Sequence, residues 1–108
     1  MLQFDPEFQN NVVKLRTLIN KIDDKVGLFE TEMNGLEINV AADSIRGPVY
    51  GCASNRKKFG VGFFDADNQI LYYYHECNIA QKILIWKALP ELRDIATKTV
   101  ELCIKELI

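Results

Sequence analysis

The chain has 108 residues, of which 48% are hydrophobic and 26% are charged. These proportions are typical of a globular protein, and the length suits a single core, so we expect one domain over residues 1–108. A net charge of −2 excludes a general electrostatic attraction to nucleic acid or to anionic membrane.

Three widely spaced cysteines, Cys52, Cys77 and Cys103, match neither a disulfide framework nor a zinc motif. They predict a cytoplasmic protein without a metal or other cofactor. No apolar run approaches the roughly 20 residues that a membrane span needs. Residues 1–7 also lack the basic and apolar regions of a secretion signal, so we expect no membrane association.

The first predicted element is an amphipathic helix. Asp5 is a suitable N-cap, and Pro6 and Glu7 suit the first turn. Apolar residues then recur at alternating steps of four and three, which is a heptad pattern. We call this set the heptad stripe, and it comprises Phe8, Val12, Leu15, Ile19, Ile22 and Val26. The helix is expected to end at Gly27 and to pack on its own chain or on a second copy.

Two β-hairpins are predicted next. The first spans residues 28–42 around Asn34-Gly35, a preferred type I′ turn. The second spans residues 58–76, with Ala66-Asp67 as a two-residue loop. The expected pairs of the second hairpin form an apolar core face and are Phe63 with Ile70, Val61 with Tyr72, and Phe59 with Tyr74.

The opposite face of the second hairpin carries Gly60 and Gly62. Two glycines in one strand leave space beside the backbone for a helix, a neighbouring aromatic ring or a ligand. Between the hairpins, residues 43–57 are rich in small and polar residues and are interpreted as a long loop, in which Val49-Tyr50 forms a short strand. This loop supplies the local positive charge of the chain, through Arg46, Arg56, Lys57 and the adjacent Lys58.

The C-terminal third predicts two helices. Asn78 is a suitable N-cap for a helix over residues 79–89. Pro90 suits the first turn of another helix over residues 90–107, with a bend between the two. The fold class is therefore α+β: an N-terminal helix, an antiparallel meander of about four strands, and two C-terminal helices packed on one sheet face.

Chemical sites are sparse in the sequence. His75 is the single histidine, and it follows three tyrosines and precedes Glu76 and Cys77. A small-molecule site or small enzyme would use Tyr72, Tyr74, His75 and Glu76. A nucleophilic pair would need Cys52 or Cys77 beside His75, and a zinc site would need four ligands that only the fold could gather. We expect no catalytic residues.

Arg56, Lys57 and Lys58 beside the hairpin rings suggest a platform for single-stranded nucleic acid. The acidic net charge argues against this function. The residues that we expect in a binding surface of any kind are Arg46, Arg56, Lys57, Lys58, Gly60, Gly62, Tyr73 and His75.

One resemblance covers the last half of the chain. A strand containing Gly60-x-Gly62, a short turn and an aromatic strand are followed by a helix, by Ala88-Leu89-Pro90-Glu91-Leu92 and by a closing apolar helix. This arrangement resembles small uncharacterised bacterial and phage proteins that end in a hairpin and an "ALPEL" helix pair. The resemblance implies a phage or mobile-element origin and no particular activity.

The function predicted from these features is that of a small binding or regulatory protein that acts through protein–protein contacts and not as an enzyme. Apolar residues on the first and last helices exceed what one small sheet can cover. Because a monomer rarely exposes a large apolar patch, we expect a homodimer.

Overall fold

The computed structural model describes residues 5–42, 49–53 and 58–108. It has the predicted α+β composition, with a four-stranded antiparallel sheet and two helices. The strands are neighbours in chain order, so the sheet is a meander. The elements are α1 (Pro6–Met33), β1 (Val40–Ala42), β2 (Val49–Ala53), β3 (Phe59–Asp65), β4 (Ile70–Tyr73), a 3₁₀ turn (Tyr74–Glu76) and α2 (Ile79–Leu107).

Helix α1 begins where the sequence predicts but ends later. The Asp5 side chain accepts a hydrogen bond from the backbone N–H of Glu7, which confirms the N-cap. The helix continues through Gly27 because the following turns still present apolar side chains to the core at helical spacing. The buried side chains of α1 are Val26, Phe29 and Met33.

The predicted hairpin over residues 28–42 is therefore wrong. Asn34 and Gly35 end the helix: the Asn34 N–H donates to the Thr31 carbonyl, and Gly35 has a φ of +82°. Asn-Gly is favoured at helix ends and in hairpins for the same reason, since both need positive φ. The dipeptide alone does not distinguish them. Only Val40–Ala42 forms a strand in this segment, and it pairs with β2.

The strand predicted at Val49 and Tyr50 is present and extends over Val49–Ala53, between β1 and β3. Part of the predicted long loop is therefore a central strand of the sheet. The sequence reads as a loop because Gly51 sits in the middle of β2, where the Phe59 ring lies against it and leaves no room for a side chain.

The second hairpin is confirmed, but its predicted register is wrong. The loop has four residues, 66–69, so Phe63 pairs with Tyr72 and not with Ile70. The Asp65 carboxylate accepts hydrogen bonds from the backbone N–H groups of the next residues and from the Asn68 amide, which closes this wider loop. A shift of two residues leaves every side chain on its predicted face.

Helix α2 is one continuous helix, so the predicted pair of C-terminal helices is wrong. Asn78 caps it as predicted, accepting from the Gln81 N–H. Pro90 lies inside the helix, which costs about 3 kcal/mol relative to alanine. The side chains around Pro90 contribute more than this by burial, at about 1.5–3 kcal/mol for each large one. These buried residues are Ala88, Leu89 and Leu92.

One face of the sheet belongs to the same core as the buried side chains of the helices. Phe59 and Val61 on this face are 4% and 0% exposed, and Phe63 packs against the same cluster. The predicted core face of the second hairpin is thus confirmed for Phe59, Val61 and Phe63, whereas Ile70 of the same predicted face is 44% exposed. Phe59 also meets Phe29 of α1 edge to face, with ring centroids 5.4 Å apart.

The two helices run parallel with a large stagger. Asp23 lies 3.7 Å from Lys82, and Glu32 lies 3.0 Å from Arg93. Each residue of α2 therefore lies beside the residue of α1 that is about 60 positions earlier in the chain. Residues 6–18 of α1 extend beyond the start of α2. At 1.5 Å per residue the staggered pair spans about 63 Å, in agreement with a longest dimension of 68 Å. Neither helix of the described chain is long and apolar enough to cross a membrane.

Candidate functional site

The space above the two strand glycines is filled by the neighbouring strand. A Cβ on Gly60 would lie 3.0 Å from the Tyr73 ring. A Cβ on Gly62 would lie 3.1 Å from the Leu71 side chain and 2.8 Å from the Tyr72 carbonyl oxygen. Of the three occupants that the sequence allows, the neighbouring aromatic ring is the one that covers Gly60.

Tyr73 belongs to an aromatic group on this face of the sheet. Its ring is parallel to the His75 ring within 4°, with centroids 6.4 Å apart, and Tyr50 and Phe64 meet edge to face at 6.2 Å. The pKa of Tyr73 is raised, chiefly because negative charge on the neighbouring Cys52 sulfur would repel the ionised tyrosine. Sequence reasoning considered Cys52 only as a nucleophile and missed Tyr50 and Phe64, because these residues come together only through the pairing of β2 with β3.

The residues of the 3₁₀ turn point in different directions. The Tyr74 side chain is buried and its hydroxyl donates to the Asp23 carboxylate, whereas His75 and Glu76 are exposed. The Glu76 carboxylate accepts from the Tyr73 backbone N–H at 3.2 Å and so closes the turn. The turn therefore separates Tyr74 from His75 and Glu76.

Tyr74 anchors the turn between the two helices. Lys82 lies 4.9 Å above its ring and 3.7 Å from Asp23. Burial raises the pKa of Tyr74, and the hydrogen bond to the Asp23 carboxylate raises it further. Tyr72 also packs against the core. The four side chains expected in a small-molecule site thus divide between the core and the solvent and do not line one cleft.

The C-terminal end of α1 supplies hydrogen bonds to the edge of β3. The Phe59 N–H donates to the Asn34 side chain at 2.8 Å, and the Val61 N–H donates to the Glu30 carboxylate at 2.9 Å. Strand β4 ends at Tyr73, so these N–H groups lie past its end. Glu30 and Asn34 are four residues apart on α1, a rise of about 6.0 Å, and Phe59 and Val61 are two residues apart on β3, a rise of about 6.8 Å. Because these two distances are similar, side chains on one face of the helix can accept hydrogen bonds from alternate residues of the strand.

Glu30 is a half-buried carboxylate. Burial raises its pKa, while the hydrogen bond from Val61 and the positive charge of His75 partly oppose this rise. Sequence reasoning missed Glu30 because residues 28–42 were assigned to a hairpin and not to the end of α1. The recognisable signal is its position four residues before Asn34, on one face of a helix.

The cysteines do not form a reactive or metal-binding group. Cys77 is buried, its thiol faces the carbonyl oxygens of Tyr72 and Tyr73 at 3.5 and 3.4 Å, and burial raises its pKa. A raised pKa keeps the thiol protonated and weakly nucleophilic. Within residues 5–42, 49–53 and 58–108, no three potential metal-binding side chains lie together.

Most of the predicted basic loop lies outside the described residues. This applies to Arg46, Arg56 and Lys57. Lys58 is exposed and directly precedes β3. The nucleic-acid hypothesis therefore stays a prediction.

A groove between the helices has a volume of about 630 Å³. Two of its lining side chains, Leu28 and Trp86, are exposed. Sequence reasoning missed it because it requires the alignment of α1 with α2. We call it the interhelix groove, and it is lined by Lys25, Leu28, Trp86, Lys87, Leu89, Pro90 and Arg93.

The second exposed feature is the projecting start of α1. We call residues 6–19 the α1 arm. Phe8 is 65% exposed and Leu15 is 48% exposed, although both belong to the heptad stripe. Farther along the same stripe, Ile22 packs against the core and Val26 is fully buried. The stripe is thus covered by the protein's own core at one end and uncovered at the other.

No protein family, no curated protein and no solved structure matches this chain.

Proposed function

We propose that the protein is a non-enzymatic interaction protein that forms a homodimer through the α1 arm. The observation that carries this proposal is the heptad stripe, of which only Ile22 and Val26 are covered by the protein's own core. An apolar stripe with heptad spacing is a surface that another helix packs against. The partner helix is the same segment of a second copy, because most soluble oligomers pair identical surfaces about a two-fold axis.

The stripe is complementary to itself in the antiparallel direction. With the two-fold axis between residues 13 and 14, Phe8 faces Ile19 of the second copy and Val12 faces Leu15 of the second copy. Each layer then joins one a position to one d position of the heptad, as antiparallel helices pack. All four side chains of the uncovered stripe find an apolar neighbour in this arrangement.

Charge and length agree with this pairing. Glu7 lies at the level of residues 20 and 21 of the second copy, and its charge is opposite to that of Lys21. Arg16, at the edge of the stripe, lies close to the uncharged Gln9 of the second copy. Pro6 of one copy reaches the level of residue 21 of the other, where the folded body begins, so the two bodies remain apart.

Sedimentation velocity of the full chain over a wide concentration range tests the proposal. We expect a dimer for the unmodified protein and a monomer for Leu15→Glu, because a buried charge in the central layer is strongly unfavourable. The matched control is Thr17→Glu, which adds the same charge on the outer side of the helix and should leave the dimer intact. A monomeric unmodified protein, or a dimeric Leu15→Glu variant of unchanged affinity, contradicts the proposal.

Three further inferences, on helix packing, compartment and origin, accompany the homodimer proposal. We infer that both helices lie on the Val61 face of the sheet, which leaves the aromatic face around Tyr73 available to a protein partner. The three cysteines are free, which supports a reducing compartment such as the cytoplasm. A phage or mobile-element origin is supported only by the resemblance of the C-terminal half, and α2 is continuous where that resemblance implies a helix pair.

A further inference from the structure

We propose that the interhelix groove is a binding site for a small amphiphilic carboxylate, an anion with a medium-length aliphatic chain. This site is separate from the α1 arm, which lies about two turns closer to the start of α1, and it does not depend on dimer formation. The inference rests on the size of the groove, its apolar walls and the charges at its rim.

The groove has the size and the walls of a small-molecule site. Its volume of about 630 Å³ lies within the range of roughly 300–1,000 Å³ that is usual for organic ligands. Leu28, Leu89 and Pro90 supply aliphatic surface, and the Trp86 indole supplies aromatic surface. Leu28 is 55% exposed and Trp86 is 37% exposed, so an aliphatic chain in the groove would remove apolar surface of both from water.

The charged residues that line the groove all carry a positive charge. Lys25, Lys87 and Arg93 line the groove, and none of the lining residues is acidic. This is a local concentration of cations in a chain of net charge −2. Among the described residues neither lysine is in an ion pair, so both ammonium groups are available to a carboxylate.

Arg93 contributes in a different way. Its guanidinium is 3.0 Å from the Glu32 carboxylate and 5.3 Å from the centre of the Phe29 ring. These contacts fix the side chain, and a guanidinium has five N–H donors, so donors remain for a ligand. Arg93 thus provides a positioned charge at one end of the groove.

The length of the groove favours a small ligand over a protein segment. Trp86 and Arg93 are seven residues apart on α2, which corresponds to about 10 Å along the helix axis. A partner helix would contact only two turns there. A medium-length aliphatic acid can place its chain on Trp86 and Pro90 and its carboxylate among the rim cations.

Trp86 is the single tryptophan of the chain, so its fluorescence reports directly on the groove. We would titrate the full-length chain with decanoate and, separately, with decanol. We expect a saturable change in fluorescence with decanoate, and an affinity for decanol lower by about fivefold or more, because decanol forms no ion pair with the rim.

The double variant Lys25→Gln/Lys87→Gln should weaken decanoate binding by about fivefold or more and leave decanol binding unchanged. The matched control, Lys98→Gln/Lys105→Gln, removes the same charge from the far half of α2 and should bind as the unmodified protein does. Circular dichroism confirms that each variant is folded. The Leu15→Glu variant should also bind decanoate normally, so failure of the dimer proposal and failure of this one are distinguishable.

Three results would overturn the inference. They are equal affinity for decanoate and decanol, unchanged decanoate affinity in the Lys25→Gln/Lys87→Gln variant, and a fluorescence change that does not saturate. Quenching by an acidic peptide but not by decanoate would equally reject the carboxylate ligand and assign the groove to a protein partner.

Discussion

Replacing Glu30 tests whether the end of α1 stabilises the edge of β3. Val61 is fully buried, and its N–H donates to the Glu30 carboxylate at 2.9 Å. The Glu30→Ala variant leaves this donor without a partner, which costs about 1–3 kcal/mol of the free energy of unfolding. Loss of a half-buried charge partly offsets that cost, so we expect a net destabilisation of about 1–2 kcal/mol.

The Glu30→Gln variant separates the hydrogen bond from the charge. Its amide oxygen still accepts from Val61 but carries no charge to desolvate, so its free energy of unfolding at pH 7 should equal or exceed that of the unmodified protein. The matched control is Glu32→Ala, two residues away, which removes an exposed ion pair with Arg93 and should cost less than about 1 kcal/mol. Urea unfolding followed by circular dichroism measures all three variants.

The sign of the pH dependence follows from the raised pKa of Glu30. The protonated acid is favoured in the folded state, so the contribution of Glu30 to stability is full below its unfolded pKa and is lost as the pH rises through its folded pKa. The stability of Glu30→Gln relative to the unmodified protein should therefore increase as the pH rises above the unfolded pKa of Glu30, and should become constant above its raised folded pKa. A relative stability of Glu30→Gln that decreases as the pH rises would refute this reasoning. A Glu30→Ala variant that is as stable as Glu32→Ala would also refute it.

Three further substitutions have clear expected outcomes by thermal or urea unfolding. Gly27→Ala should stabilise the protein by about 0.5–1 kcal/mol, because Gly27 is inside α1 and a Cβ there meets no atom within 4 Å. Gly51→Ala should destabilise it by about 1–3 kcal/mol or more, because the new Cβ would collide with the Phe59 ring; a neutral result would show that the ring moves freely. Tyr74→Phe should cost about 1.5–3 kcal/mol, because it removes a part-buried hydrogen bond to the Asp23 carboxylate, and an unchanged midpoint would contradict this anchor.

Local signals predicted the starts of the helices correctly. Asp5 and Asn78 are caps because their side chains bond to N–H groups two or three residues away, which is a property of the sequence itself. The face of the second hairpin was also predictable, since alternation along a strand is independent of register. The register itself was not, because the Asp65 side chain stabilises a four-residue loop that competes with the shorter one.

The errors occur where a local signal has two outcomes. Asn34-Gly35 suits a hairpin and a helix end equally. Pro90 suits the first turn of a helix, but it is also tolerated inside α2, where the burial of its neighbours offsets its cost of about 3 kcal/mol. In both cases burial decides. Met33 and Leu92 are buried only if α1 and α2 continue past the positions where local rules would end them.

The sequence by itself determines the α+β composition, the helix caps, the core face of β3 and the heptad stripe, because each depends on neighbours within one or two turns of the chain. The tertiary structure decides everything that depends on how α1 lies against α2 and β3. The parallel stagger of the helices leaves the α1 arm uncovered and aligns Lys25 with Lys87 and Arg93 across the interhelix groove. No local spacing encodes that offset of about 60 residues, since it arises from packing both helices against one core.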